Sequence, residues 1–483
     1  MEPRFEYAEN DTAPGPPPRH AGAPPQPDRL VLAPFRGMRY TAAVDLSAVL
    51  APPYDVVGAD ELARLRAAEP HNAVRLILPE RDEPTSAGTP GPSRAAGARA
   101  GAHPEVAPDV DGPPDRYRHA ARSMAGWLAD GVLATDDTPA LYVYEHAEPG
   151  ADGVMRPVQR GLMGGVGLSR PESGIVLPHE DVFPGPVEDR LRLMAATQAN
   201  LEPILLLYDG GGPAGAIVDG TADAGPPLCE AWTSPDVRHR LWRITDPARL
   251  DAIAADLAPR QALIADGHHR YATYLRLRDR HHAAGHGPGP WDHGLTLLVD
   301  SLAYPPLLGA IHRVLPHLPP DRAAAALRTA FTVEELDGEL PAALDRLTAA
   351  DHDGPAFLIA GGGRLWLATA PDADTVAAAM PAQRSPRWRA LITSVLHVLV
   401  IPKLWGIAED ESTVRIVHHD AATAVRRADD AGGTAVILPP LRVPDVTAVA
   451  ADGEKVPRKS TSFGPKPPTG LVMRTFAAQL PED

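Results

Sequence analysis

The stretch ALIADGHHRYATY, residues 262–274, reads as a strand, a tight turn and the start of a helix. Ala262, Leu263, Ile264 and Ala265 form an apolar run of buried-strand length, and it stops at Asp266-Gly267, a turn pair that also suits a helix N-terminus. From His268 to about Ala283 there is no proline or glycine; Tyr271, Leu275 and Leu277 supply an inward face, while Arg270, Arg276 and Arg280 stay wet. The first backbone N–H groups of such a helix lack partners, and the positive end of its dipole lies beside His268, His269 and Arg270. Gly267, His268, His269 and Arg270 are therefore expected to hold an anion, most simply a phosphate. A plain structural turn with Asp266 as N-cap accounts for the same residues, since the chain holds 19 histidines. The histidine pair alone makes a poor metal site, because neighbouring helix positions point about 100° apart and no His-Glu-x-x-His pattern is present.

Composition narrows the classes. A chain of 483 residues suggests two or three domains, and 22% charged with 44% hydrophobic residues is the balance of a soluble globular protein. A formal net charge of −16 argues against nonspecific binding to DNA or an anionic membrane, so a small ligand is the expected partner. Cys229 is the only cysteine, which excludes an intramolecular disulfide and a multi-cysteine zinc site. The N-terminal residues lack the apolar segment of a secretory signal, and the most apolar run, Leu391 to Ile401, is too short for a bilayer; a cytoplasmic protein is expected. The chain uses only four lysines, and Lys455, Lys459 and Lys466 fall within a dozen residues. In so arginine-rich a sequence that concentration points to a task a guanidinium does not perform.

Along the chain, residues 1–28 are Pro-rich and aperiodic and are expected to be a disordered tail. Residues 29–318 read as an N-terminal and central α/β domain, with a flexible Gly/Ala/Pro insertion at about 81–114. Within it, Asn72 to Glu80 (NAVRLILPE) reads as a strand. Residues 319–483 read as a C-terminal α/β lobe with a buried helix over Trp388 to Ile401 and a basic loop at 453–471. The apolar segment LLGAIHRVL carries His312 and Arg313 with no partner visible.

Three further segments carry candidate chemistry. LPHED places His179 and Glu180 in a loop, where a carboxylate beside a phosphate site can take a hydroxyl proton. Asn200 precedes the apolar run PILLLYD and is a candidate substrate-binding residue, although it can equally satisfy local backbone groups. The loop from Gly453 to Leu471 sets Lys459, Ser460 and Thr461 among prolines and glycines, suited to folding over phosphates.

The sequence resembles the bacterial and archaeal family called domain of unknown function 1015. The resemblance rests on ALIADGHHRYAT with APPYDVV (51–57), LPHED followed by EDRLRLMAATQANLEPILLLY (ending at Tyr208), and GEKVPRKSTSFGPKPPTGLV (453–472). It implies that Asp55 contacts a substrate amine or hydroxyl. Asp-Gly-His-His-Arg after a strand is also similar to the phosphate-binding motif of the ParB and sulfiredoxin superfamily, which includes free-serine kinases and nucleotide-binding partition proteins. The fold expected is α/β, a mixed sheet with a ParB/sulfiredoxin-like core and a C-terminal α/β lobe.

Three functions stay open. The first is a phosphotransferase acting on a small hydroxyl substrate with Mg²⁺ and a nucleotide or pyrophosphate: Glu180 and His179 give acid/base chemistry, and Asp266 positions the metal or the substrate. The second is a nucleotide-responsive binding protein without turnover. The third is a metal-dependent hydrolase using the His179-Glu180 and His268-His269 pairs as ligands.

Overall fold

Ala262–Asp266 is a strand inside a nine-stranded mixed sheet, in a computed structural model that describes residues 26–80, 115–410 and 412–480. It runs parallel to the short edge strand Val176–Leu177 and antiparallel to Ile204–Tyr208. Ile204–Tyr208 is in turn parallel to His293–Asp300. Beyond it the sheet continues antiparallel through Met155–Gly167, Leu141–Pro149, Val237–Ile244 and Cys229–Ser234. The expected disordered tail, apart from residues 26–28, and the insertion at 81–114 lie outside the described residues.

The central strands are apolar on both faces because both faces are covered. Ile204, Leu206, Ala262, Ile264 and Leu298 enter a core under the helices Pro184–Thr197 and His268–Ala283, which pack on each other. The alternate residues Leu205, Leu207, Leu263, Ala265 and Leu297 enter a second core that continues into the C-terminal half of the chain, to Trp366, Val436 and Phe463. Period-two alternation therefore joins two layers through one sheet.

The second layer is a six-stranded sheet in which every ladder is antiparallel: Thr332–Leu336, Arg364–Thr369, Phe357–Gly361, Thr434–Ile437, Ile311–Leu315 and Arg415–His418, in that spatial order. Arg415–His418 and Thr434–Ile437 flank Ile311–Leu315 and are joined by the helix Ala421–Asp430, a split β-α-β unit. The chain then returns to the first layer. Ser462–Gly464 pairs with Leu307–Gly309, Thr469 bridges Ala51, and Arg474–Thr475 pairs with Ala199–Asn200. Among the described residues no helix is long and apolar enough to cross a membrane.

Two local expectations are corrected. The segment read as a strand over 72–80 contains the short helix Val74–Ile77. Asn72 dictates this: its Oδ1 accepts the Val74 N–H at 2.9 Å while its amide donates to the Ala48 and Leu50 carbonyls, and a short apolar run fits either structure when buried. The single helix expected over 388–401 breaks at Leu391, whose ψ is 132°, and after Ile392–Val395 widens into a π-helical stretch, Leu396–Leu404, with Pro402 inside it.

Gly267 has φ 96°, and a Cβ there would lie 2.7 Å from Cγ2 of Ile204. Gly267→Ala is expected to cost about 1–3 kcal/mol, read as a lower urea midpoint; an unchanged midpoint would contradict the account of this turn.

Candidate functional site

The turn fixes where Asp266 and the helix start can go. With Gly267 left-handed, the helix begins at His268, and Arg270, one turn on, folds back on the strand end. Arg270 is 2% exposed; its Nη2 donates to Oδ2 of Asp266 and its Nη1 to the Pro203 carbonyl at 2.6 Å. The other Asp266 oxygen accepts from Lys466 Nζ at 2.5 Å, and Lys466 also reaches Oδ2 of Asp55 at 2.8 Å. Burial opposes the charge on Lys466, but Asp266 and Asp55 outweigh it and raise its proton affinity. Burial likewise disfavours the Asp55 carboxylate, and Lys466 with Arg270 overcomes this to hold its pKa below the ordinary value.

The two histidines hold the neighbouring loop. His268 Nε2 accepts the His179 backbone N–H at 3.2 Å, and His269 Nε2 accepts the Phe183 N–H at 3.0 Å. An accepting Nε2 carries no proton, so both rings are neutral with Nδ1–H. Burial, the largest cause in each, lowers both pKa values, as these roles require. The pair thereby fixes both ends of the segment that carries Glu180.

Glu180 Oε1 accepts the Thr461 hydroxyl at 2.8 Å, and the same hydroxyl lies 2.8 Å from His179 Nε2. Burial raises the Glu180 pKa; the Thr461 hydrogen bond and the Lys459 charge offset this only in part. His179 is fully buried and its pKa is driven down to about 3 by desolvation. The arrangement is a carboxyl group of raised proton affinity at a cavity wall, which is what a proton acceptor for a hydroxyl needs.

The basic loop is held from the second layer. Lys459 is left-handed, φ 53°, and its carbonyl accepts from Nη2 of the buried Arg313 at 2.7 Å. Arg313 also meets His397 Nε2 at 3.1 Å, and His397 Nδ1 meets Glu409 at 2.7 Å. A guanidinium only donates, so His397 accepts through Nε2 and gives its Nδ1 proton to Glu409. Lys455 pairs with Asp181 at 2.7 Å and the Arg458 guanidinium lies over the Phe183 ring. Lys459 itself is exposed and makes no ion pair among the described residues.

These parts surround a cavity of about 1160 Å³ whose walls include Asp55, Glu180, Asp266, His268, Lys459, Thr461 and Lys466. His179, Gly267, His269, Arg270 and Ser460 do not line it; they stand behind it or in its frame. Asn200 is not brought to the cavity: its Oδ1 accepts from the Leu295 N–H and from Arg474. Lys466, singled out only as one of a lysine cluster, proves to be the tie between two motifs. Glu202 and Arg313 were not distinguishable as partners, although each is a charged residue beside an apolar run, a pattern that signals an internal partner. Glu202 Oε1 accepts the Tyr54 N–H at 3.0 Å, anchoring the Asp55 loop.

The residues do not form a protein cage for a metal. Both oxygens of Asp266 are engaged by cations, the Nε2 lone pairs of His268 and His269 are engaged by backbone, and no three His, Cys, Asp or Glu gather as a metal site among the described residues.

Residues 32–100 and 102–393 match the family described as protein of unknown function DUF1015. No curated protein matches the chain. Solved structures similar to it include a free serine kinase in complex with AMP (13% identity, TM-score 0.32, covering 61% of this chain and 88% of that one). SbnI with a C-terminal truncation from Staphylococcus aureus gives 12% identity and a TM-score of 0.33, with 66% and 90% covered. A conserved hypothetical protein from Pyrococcus furiosus gives 13% and 0.31, with 63% and 94% covered. At such scores these likenesses carry no argument about mechanism.

Histidines whose folded pKa is depressed stabilise above the unfolded value, near 6.5, and lose that contribution as pH falls. The amide-exchange protection factors of His179 and Phe183 are accordingly expected to drop as pH is lowered from 7 to 5, ahead of those in Ile204–Tyr208. Protection that is constant over this range would contradict the neutral-acceptor roles of His268 and His269.

Proposed function

The chain belongs to the DUF1015 family, and on that premise we propose that it binds a nucleotide or pyrophosphate in this cavity and transfers a phosphoryl group to a hydroxyl of a small second substrate. The observation that supports this most is Thr461: one residue of the basic loop hydrogen-bonds the candidate base, Glu180, at 2.8 Å, so anion-binding and proton-accepting groups share one wall. Lys459, lacking an ion-pair partner among the described residues, and the helix start at His268, which lines the cavity, take the phosphates. Lys466 is already balanced by Asp55 and Asp266 and orients rather than neutralises. Arg270 acts through Asp266, which it holds.

As the substrate oxygen attacks phosphorus, its proton passes to Glu180 and the bond to the leaving phosphate oxygen breaks. Positioning and fixed positive charge account for most of the barrier lowering in such reactions. No step is assigned to Mg²⁺: a nucleotide brings it on its own phosphates, with one or two carboxylates sufficing on the protein side. A cytoplasmic location, where nucleotides are abundant, fits this activity.

A nucleotide-responsive binding protein without turnover is the second reading. It is favoured by the Arg313 link, because a ligand that moves the Lys459 carbonyl is felt directly in the second layer.

Turnover separates the two. With ATP or ADP and a panel of hydroxyl compounds, Glu180→Gln is expected to slow phosphoryl transfer by about 10²–10⁴-fold while nucleotide still binds, whereas Lys459→Ala weakens binding. Equal turnover in the parent and Glu180→Gln would remove Glu180 from the mechanism; binding with no turnover for any compound would favour the regulator.

A further inference from the structure

The helix His268–Ala283 closes in a turn that brings two imidazoles together. The His286 N–H donates to the His281 carbonyl at 3.2 Å and the Gly285 N–H to the His282 carbonyl at 3.0 Å, with Gly285 left-handed at φ 82°. Paired bonds of this kind around a left-handed glycine form a Schellman cap, in which a side chain of the last turn meets the one just beyond the helix end. That contact is normally apolar. Here it falls on His281 and His286, whose Nδ1 atoms lie 3.1 Å apart.

Trp291 holds the pair in place. Its ring stacks on His281 with centroids 4.2 Å apart and planes 1° from parallel, and its centroid lies 5.5 Å from that of His286. The indole N–H donates to the Gly287 carbonyl at 2.9 Å, which fixes this platform to the chain next to His286. His281 is half-buried and His286 is exposed, so the His286 ring can turn to admit an ion without unpacking a core.

The two nitrogens are spaced as neighbouring ligands of one ion. With metal–nitrogen bonds of about 2.0–2.1 Å, their separation corresponds to an angle of about 95–100° at the metal, between the right angle of a tetragonal centre and the tetrahedral angle. A hydrogen bond between the rings uses one Nδ1 lone pair and the other ring's proton. Once the donor ring shifts to its Nε2–H tautomer, both Nδ1 lone pairs are available. The negative end of the helix dipole favours a cation at the same place.

We propose that His281 and His286 chelate a divalent transition-metal ion of the zinc, nickel or copper class, with water completing its coordination. Two imidazoles and several open positions make an exchangeable surface site, unlike the closed cage of a structural zinc. The inference is independent of the phosphotransferase reading, because the pair sits at the far end of the helix from His268, which lines the large cavity.

Equilibrium dialysis of the tag-free chain against Ni²⁺ or Zn²⁺, near pH 7.5 and so above the imidazole pKa, tests it in the parent, in His286→Ala and in His352→Ala, a control that removes another exposed imidazole. His286→Ala is expected to fold, since the residue is exposed and the backbone bonds of the cap remain. It is expected to weaken the tightest binding by at least about tenfold, a loss that even an outer-sphere partner can cause, while His352→Ala behaves as the parent. Copper(II), which quenches nearby indole emission, gives a local readout: the saturable part of its quenching is expected to disappear in both His286→Ala and Trp291→Phe. Equal affinity in the parent and His286→Ala would overturn the proposal and leave the pair as a hydrogen bond that closes the helix. Absence of bound ion in the parent would overturn it too, as would an equal loss in His352→Ala, the mark of adventitious binding by surface histidines.

Discussion

Asp266 holds two cations at once, and the site depends on that sharing. One oxygen takes Arg270 from its own helix and the other takes Lys466 from the C-terminal loop, which in turn carries Asp55. Three segments far apart in sequence are thus joined by charges that are mostly out of water. Removing one member leaves a partner unpaired, which in buried pairs costs about 3–5 kcal/mol. The loop is also held at Lys459, where the backbone is left-handed and the carbonyl accepts from the buried Arg313.

Much of the core was legible in the sequence, because burial and periodicity write themselves locally. The apolar run 262–265, the Asp-Gly turn and the proline-free helix after it become Ala262–Asp266 and His268–Ala283, but Arg270, expected on the wet face, is buried because it pairs with Asp266. Short apolar segments were less legible: 72–80 turned on the side chain of Asn72, whose partners Ala48 and Leu50 lie outside any local window. For the site, residue types were readable and partners were not. His268 and His269 draw attention as a pair, but that each ring caps a backbone N–H some 86 to 89 residues away follows only from packing. Lys466 meets Asp55 across 411 residues, and nothing in spacing announces it.

The two layers are bound together where chemistry is expected. The C-terminal segment leaves the second sheet, adds Ser462–Gly464 to Leu307–Gly309, and ends against Ala199–Asn200. On the way it lines the large cavity with Lys459, Thr461 and Lys466.

Amide hydrogen exchange with and without pyrophosphate tests most directly whether one phosphate site is assembled from these distant segments. The account predicts added protection at 267–270 and at 459–466 together, with smaller changes at 178–183 through His268 and Thr461. Protection at only one of the first two segments, or at neither while pyrophosphate binds elsewhere, would contradict it.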